Sequence, residues 1–167
     1  MKYRPALSSD LPAVQKAFHA IVDGMTAKGL VIWDDVYPFS CLEEDIAKRR
    51  LYLLLDGSSI AAVFVLSPEK EGFDQLTWQD NAAPAVYLNR FAVLPAYEGR
   101  GTAQLALEKA KETAGALGAS FLRLTVVTFN ERALHFYQKN GLTKATGRYK
   151  EPIEGASLWE YGFETRL

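Results

Sequence analysis

Cysteine is almost absent: Cys41 is the only one in 167 residues. An intrachain disulfide is therefore excluded, and the usage fits a reducing compartment. No partner for Cys41 as a nucleophile is recognisable, so a packing thiol is the plainer reading. Histidine is scarce as well. His19 and His135 both fall in helical patterns, and no His, Cys, Asp or Glu cluster has metal-ligand spacing, so no metal is expected. No apolar run approaches the roughly 20 residues that span a bilayer. The N-terminal Met1-Lys2-Tyr3-Arg4-Pro5 lacks the apolar core of a signal peptide. Neither sign of charge dominates: 19 Lys and Arg face 20 Asp and Glu, a net charge of −1. That balance argues against general affinity for nucleic acid. Repeats, low-complexity tracts and interdomain linkers are missing too. What remains is one cytoplasmic domain over residues 1–167, whose 49% hydrophobic content can build a core. Neither nucleic acid nor membrane is expected as a partner, and a monomer or homodimer fits.

The apolar spacing predicts the elements. Residues 3–7 suit a short edge strand, and Leu11, Val14, Phe18 and Ile21 recur at helical steps after Ser8, Ser9 and Asp10. The helical pattern should break at Gly24, Gly29 and Pro38. Ser40 then reads as the cap of a second helix, with Glu43 completing a capping box. Residues 51–55 and 60–66 are strands around an Asp56-Gly57 hairpin turn. Residues 67–84 are polar and proline-bounded, hence a loop, and 85–94 return to strand character. A helix follows with Ala103, Leu107, Ala110, Ala114 and Leu117 on one face and Gly118 at its end. Strands at 121–128, 142–149 and 158–163 and a helix from Asn130 complete a mixed α/β sheet.

Two stretches carry chemistry. In the first, the strand ending Phe91-Ala92-Val93-Leu94-Pro95 leads into Ala96-Tyr97-Glu98-Gly99-Arg100-Gly101-Thr102-Ala103 and so into a helix. Two glycines one residue apart at a positive helix terminus suit an anionic phosphate, because the backbone can approach the ligand closely. In the second, Asn130, Ala133 and Tyr137 share one helix face, with Phe136 and Gly141 in the same stretch. That face offers an amide, a gap and a phenol to a long thin ligand. By itself it also fits a cap and a core aromatic.

With both motifs in this order the chain resembles the GNAT superfamily of N-acetyltransferases, which use acetyl-coenzyme A. The signature Q/R-x-x-G-x-G/A is matched by Glu98 to Ala103, and N-x-x-A-x-x-F-Y-x-x-x-G-F by Asn130, Ala133, Phe136, Tyr137 and Gly141, with Leu142 in place of the last aromatic. The resemblance implies a mostly antiparallel central sheet with a splayed strand pair and about four flanking helices. It implies acetyl-coenzyme A as cosubstrate, with the main chain of Phe91, Ala92 and Val93 pairing with the pantetheine arm. The amides of Glu98, Gly99, Arg100, Gly101, Thr102 and Ala103 would cradle the pyrophosphate, Asn130 and Ala133 would line the cofactor, and Tyr137 would lie near the thioester sulfur. Glu98 departs from the family's Gln or Arg. A carboxylate there is repulsive by no more than about 1 kcal/mol once screened, and Arg100 can offset it.

The expected reaction is direct attack of a primary amine of a small molecule or peptide on the thioester. Tyr137 would protonate the departing thiolate, and the Val93 amide would hold the oxyanion. Glu71, Asp74 and Glu151 are weak candidates for the base, since each also reads as a solvated charge. Residues 30–39 mix aromatic and acidic side chains, suiting a cationic acceptor through Trp33 and Tyr37, with Trp78 on the later loop. The same segment also reads as a simple cover on the core. Two other functions remain open: a non-catalytic acyl-coenzyme A binding or sensing module, and a nucleotide-binding module. The latter lacks both the Walker Lys-Ser/Thr pair and the three-glycine dinucleotide pattern.

Overall fold

The computed structural model describes residues 1–69, 73–153 and 156–167. Among the described residues the fold is α/β, with mostly antiparallel strand pairing and four α-helices. It divides into two compact units, Met1–Leu66 with Asn89–Ala110 and Ser67–Leu88 with Lys111–Leu167. Neither unit is continuous in sequence. The chain passes between them inside a strand, β5 (Ala85–Val93), and inside a helix, α3 (Thr102–Ala116).

In the first unit β1 (Lys2–Pro5), β2 (Leu51–Asp56) and β3 (Ser59–Ser67) pair antiparallel in that order, with β5 next to β3. Asp56 faces Ser59 across the predicted hairpin turn. Strand alternation sends Leu51, Leu53, Val63 and Val65 to one face. There α1 (Leu11–Thr26) sets Val14, Phe18 and Ile21 against them, and α2 (Phe39–Ala47) sets Leu42 and Ile46. Each such side chain contributes about 1.5–3 kcal/mol when fully buried, so this cluster fixes both helices to the sheet. Tyr3, Tyr52, Phe64 and Phe91 form a run of ring contacts, with centroids 5.7, 5.4 and 6.5 Å apart in succession.

Two expectations in this unit are corrected. Gly24 does not break α1, which continues to Thr26. Its glycine serves a close approach instead, since a Cβ there would lie 2.8 Å from Pro95 Cγ. Nor does Ser40 cap α2. The Asp34 carboxylate accepts from the Val36 and Tyr37 amides at 2.8 Å each. This Asx-type turn brings the chain in two residues earlier, so the helix opens at Phe39 with Pro38 as its cap residue.

In the second unit the start of β5 runs parallel to β6 (Phe121–Val127), with Ala85–Tyr87 opposite Phe121–Arg123. β6 lies antiparallel to β10 (Ala156–Arg166), which also pairs with β9 (Tyr149–Ile153) and β7 (Thr143–Lys144). The helix α4 (Glu131–Lys139) follows β6. The single strand expected over 142–149 is interrupted. At Ala145 it divides into β7 and β8 (Thr146–Gly147), and Ala145 is buried beside Gly162 with its amide donating to the Gly162 carbonyl at 2.9 Å. The stretch read as a loop contains a short strand, β4 (Leu76–Thr77), which pairs with β8.

Candidate active site

The glycine turn is built by the end of β5. Leu94 donates its amide to Ala61 of β3 at 3.0 Å, which fixes where the strand stops. A 3₁₀ turn over Pro95–Tyr97 follows, then Gly99 at φ 72° and Gly101 at φ 77°. Any other residue would meet a cost of about 1–2 kcal/mol in that left-handed conformation. A Cβ at either glycine would have no protein atom within 4 Å. Backbone conformation, and no crowding by the protein itself, is therefore what requires glycine. The Gly101 carbonyl accepts from Leu105 at 3.1 Å and so begins α3. The first amides of that helix have no carbonyl within the helix to donate to, and they carry its positive end. Thr102, in this first turn, is buried with its Oγ1 hydroxyl unmatched by any hydrogen-bond partner. Left-handed glycines, surplus amide donors and a spare hydroxyl form a donor set that fits a diphosphate.

Glu98 is met from an unexpected quarter. Lys28, just past α1, places its Nζ 2.6 and 2.7 Å from the two carboxylate oxygens. Arg100, expected to offset Glu98, lies over the Tyr97 ring at 5.9 Å. Both members of the Lys28–Glu98 pair are partly exposed, so the attraction is screened and modest. It nonetheless removes the local negative field that the sequence suggested.

Midway along β5, Arg90 adopts φ 48°. A non-glycine residue in this region costs on the order of 1–3 kcal/mol and persists only where neighbours hold it. Asp45 of α2 holds the Arg90 guanidinium, with Nη2 2.7 Å from Oδ2 and 2.9 Å from Oδ1. Arg90 Nη1 also donates to the Tyr37 hydroxyl at 3.2 Å. Burial pushes the Asp45 carboxyl upward, against the pull of Arg90. The close contact marks an ionised pair, and the upward push measures what it costs to take that pair out of water. Trp33 packs on Phe18 at 5.9 Å and on Tyr37 at 6.3 Å. Two of the three predicted acceptor contacts, Trp33 and Tyr37, thus come together in the first unit beside Arg90. Trp78 belongs to the second unit, where it is buried with Leu76, Tyr87 and Ala145 and lies under Arg123 at 4.9 Å. That is a packing position.

In the second unit Asn130 caps α4, its Oδ1 accepting from the Ala133 amide at 3.2 Å. Tyr137 is buried, 6% exposed, with Phe163 at 6.3 Å and Phe136 at 5.2 Å from its ring. That burial pushes the phenol well above its ordinary range. Of the base candidates, Glu151 lies on β9 and Asp74 is exposed. Glu71 lies outside the described residues. Among the described residues no three His, Cys, Asp or Glu side chains come together as metal ligands would.

One acid escaped the sequence reading. Glu160 of β10 is buried and pushed up to about 7, chiefly by loss of water. A hydrogen bond with Thr125 of β6 works the other way, while the charge of Glu151 and a hydrogen bond with it raise the value further. A signal for it exists: Glu160, Gly162 and Glu164 occupy alternate positions of one strand, so two acids share its inward face. Glu164 is matched there by Arg123 at 3.1 Å.

Comparison with known proteins gives the geometry a family. Residues 19–142 match the family described as Acetyltransferase (GNAT) family. The chain is 34% identical over 91 residues to the thialysine N-epsilon-acetyltransferase of Bos taurus, a match covering 53% of this chain and 52% of that one. The chain spans about half the length of the relatives it matches in sequence. A crystal structure of a GNAT family acetyltransferase from Streptococcus agalactiae superposes with a TM-score of 0.84 at 17% identity, over 99% of this chain and 95% of that one. The acetyltransferase yncA of Salmonella typhimurium, solved with acetyl-CoA, gives a TM-score of 0.71 at 16% identity, over 100% of this chain and 94% of that one. No described helix is long and apolar enough to cross a membrane. With three quarters of its length matched, the chain belongs to the GNAT family of acetyltransferases.

Proposed function

We propose that the protein transfers an acetyl group from acetyl-coenzyme A to a primary amine of a small molecule or peptide, by direct attack. The observation that carries this is the pair of left-handed glycines ahead of α3, with surplus amides and the Thr102 hydroxyl beside them. Residues 98–103 would hold the diphosphate, the main chain of Phe91, Ala92 and Val93 the pantetheine arm, and Asn130 and Ala133 a further part of the cofactor. Bound there, acetyl-coenzyme A supplies an activated acyl carbon. An ammonium ordinarily loses its proton near ~10.4, so the acceptor must be deprotonated before it attacks. The Val93 amide would hold the oxyanion of the tetrahedral intermediate. Tyr137, kept protonated by burial, would donate to the departing sulfur. Because a thiol ordinarily ionises near ~8.5, full release of the phenol proton is uphill. Donation must therefore be concerted with a proton returning to the phenol. Trp33 and Tyr37 would receive the acceptor. The bovine relative's name specifies an ε-amine, which agrees with a primary amine here.

A thermal shift series with coenzyme A, ATP and NAD tests the cofactor. Coenzyme A should give the larger shift, because it alone carries the pantetheine arm, and Gly101→Glu should abolish the shift and the calorimetric binding. Equal shifts with all three ligands would point to a general nucleotide site instead.

A further inference from the structure

The glycine turn opens on a carboxylate, and the structure supplies that carboxylate with a cation from outside the turn. Lys28 places its Nζ 2.6 Å from Oε1 and 2.7 Å from Oε2 of Glu98. Lys28 belongs to the first unit, as do all of residues 98–103. Two features of α1 deliver it. The helix ends at Thr26, and Gly29 at φ 75° lets the chain wrap back on itself. There the Lys28 and Leu30 amides both donate to the Met25 carbonyl at 3.0 Å, and the Gly29 amide to the Thr26 carbonyl at 2.9 Å. A left-handed ending of this kind satisfies the last carbonyls and fixes the direction of the residues around it. One turn earlier, Gly24 lets the helix close on Pro95, which begins the segment leading to Glu98.

An exposed ion pair contributes little to stability, because water and salt screen it. Stability is thus a poor account of a carboxylate standing beside a turn built for an anion. The geometry offers a better one. An ammonium has three N–H donors. Glu98 engages the Lys28 Nζ through both of its oxygens, and among the described residues no other acceptor meets that nitrogen. The Lys28 side chain is 49% exposed against 27% for Glu98, so an incoming anion reaches the ammonium more readily than the carboxylate. The cation inside the turn, Arg100, lies over the Tyr97 ring at 5.9 Å, and the Tyr97 hydroxyl donates to Asp56 at 3.4 Å. Lys28 is therefore the cation fixed directly on the turn's first residue.

We propose that Lys28 binds the coenzyme's diphosphate, carried to the glycine turn by the end of α1 and oriented there by Glu98. This rests on the acetyl-coenzyme A reading above and adds to it a binding residue that lies in neither motif. The helix terminus offers only a partial positive charge, roughly half a unit, whereas a diphosphate diester is a dianion. A fixed ammonium supplies a full charge, and a charge-assisted hydrogen bond is roughly twice as strong as a neutral one. Lysine brings that charge as a compact point on a flexible stem, so it needs a partner to hold it in place. Glu98 is that partner, a positioning residue: its carboxylate keeps Nζ at the turn while the remaining N–H meets a phosphate oxygen. A carboxylate that alone would repel the ligand thus presents a cation to it.

The test measures affinity by calorimetry for coenzyme A, for dephospho-coenzyme A, which keeps the diphosphate but lacks the 3′-phosphate, and by competition for pantetheine, which lacks both. Lys28→Met should weaken coenzyme A and dephospho-coenzyme A alike, by about tenfold, and lower the ratio of coenzyme A to pantetheine affinity by the same factor. Lys28→Arg should keep most of the affinity. Coenzyme A binding should weaken less steeply with added salt in Lys28→Met than in wild type. Melting of the unliganded protein should stay at the wild-type temperature, as expected for a screened pair. Glu98→Gln should bind coenzyme A no more tightly than wild type, since the lysine loses its anchor as the carboxylate is removed. In Lys28→Met/Glu98→Gln the affinity should recover only in part. Full recovery in that double variant would mean that Lys28 merely neutralises Glu98, and would overturn the proposal. So would a tighter-binding Glu98→Gln, a loss confined to coenzyme A, or a loss equal for all three ligands with a lowered melting temperature. Each of these outcomes leaves acetyl transfer standing, whereas wild-type protein that binds no coenzyme A overturns the reading beneath it as well.

Discussion

Burial moves the Tyr137 phenol and the Glu160 carboxyl the same way, upward, with different results at neutral pH. The phenol is pushed further from the working range and stays protonated. The carboxyl is pushed into that range and becomes responsive. Tyr137→Phe should therefore lower turnover roughly tenfold or more while leaving coenzyme A affinity nearly intact, as steady-state kinetics beside calorimetry would show. Unchanged turnover would remove the phenol from the chemistry. Tyr137 was legible in the sequence because its motif is local: cap, gap and phenol lie within one short helix. Glu160 was not, since its partners Thr125 and Glu151 come from other strands. The cost of burying an acid appears only once those strands are paired.

At the scale of elements, β5 is the strand to watch. Its glycine turn could be read directly, because proline, two glycines and a helix opening are contiguous. Its interior could not. Nothing near Arg90 in sequence indicates a left-handed residue, and the side chains that hold it there, Asp45 and Tyr37, come from 45 and 53 residues upstream. The Lys28–Glu98 pair spans 70 residues in the same way. Such contacts depend on how α1 and α2 pack on the sheet, which periodicity predicts only as far as which face is buried. Removing one partner of a buried ion pair leaves an uncompensated charge and costs about 3–5 kcal/mol. Asp45→Ala should destabilise the protein by about that much in urea titration. If Tyr37 receives the acceptor as proposed, Asp45→Ala should also raise KM for the amine, because Arg90 loses the anchor that aims its other nitrogen at Tyr37. A loss below about 1 kcal/mol would mean that the αL turn at Arg90 is held by other contacts.

For the whole molecule the raised acids bear on folding. Glu160 has a folded value near 7 against an ordinary 4.5, so the folded state binds its proton more tightly than the unfolded state does. The stabilisation is full below the ordinary value and is lost as pH rises through about 7, a difference on the order of 3 kcal/mol. Asp10, held down by the Arg4 guanidinium, acts in the opposite sense in more acidic solution. Glu160→Gln should then melt progressively higher than wild type as pH goes from 5 to 8. A constant difference across that range would mean that the carboxyl is not desolvated. The sequence conveyed the order of elements well but not this discontinuous partition, because both crossings fall inside regular elements where composition does not change.

Pro95 resting on Gly24 ties the entrance of the glycine turn to the far end of α1, where there is no room for a side chain. A single methyl added to that helix would press on the proline and displace the loop, and if that loop holds the coenzyme as proposed, the change would register as weaker retention from a residue that never meets the ligand.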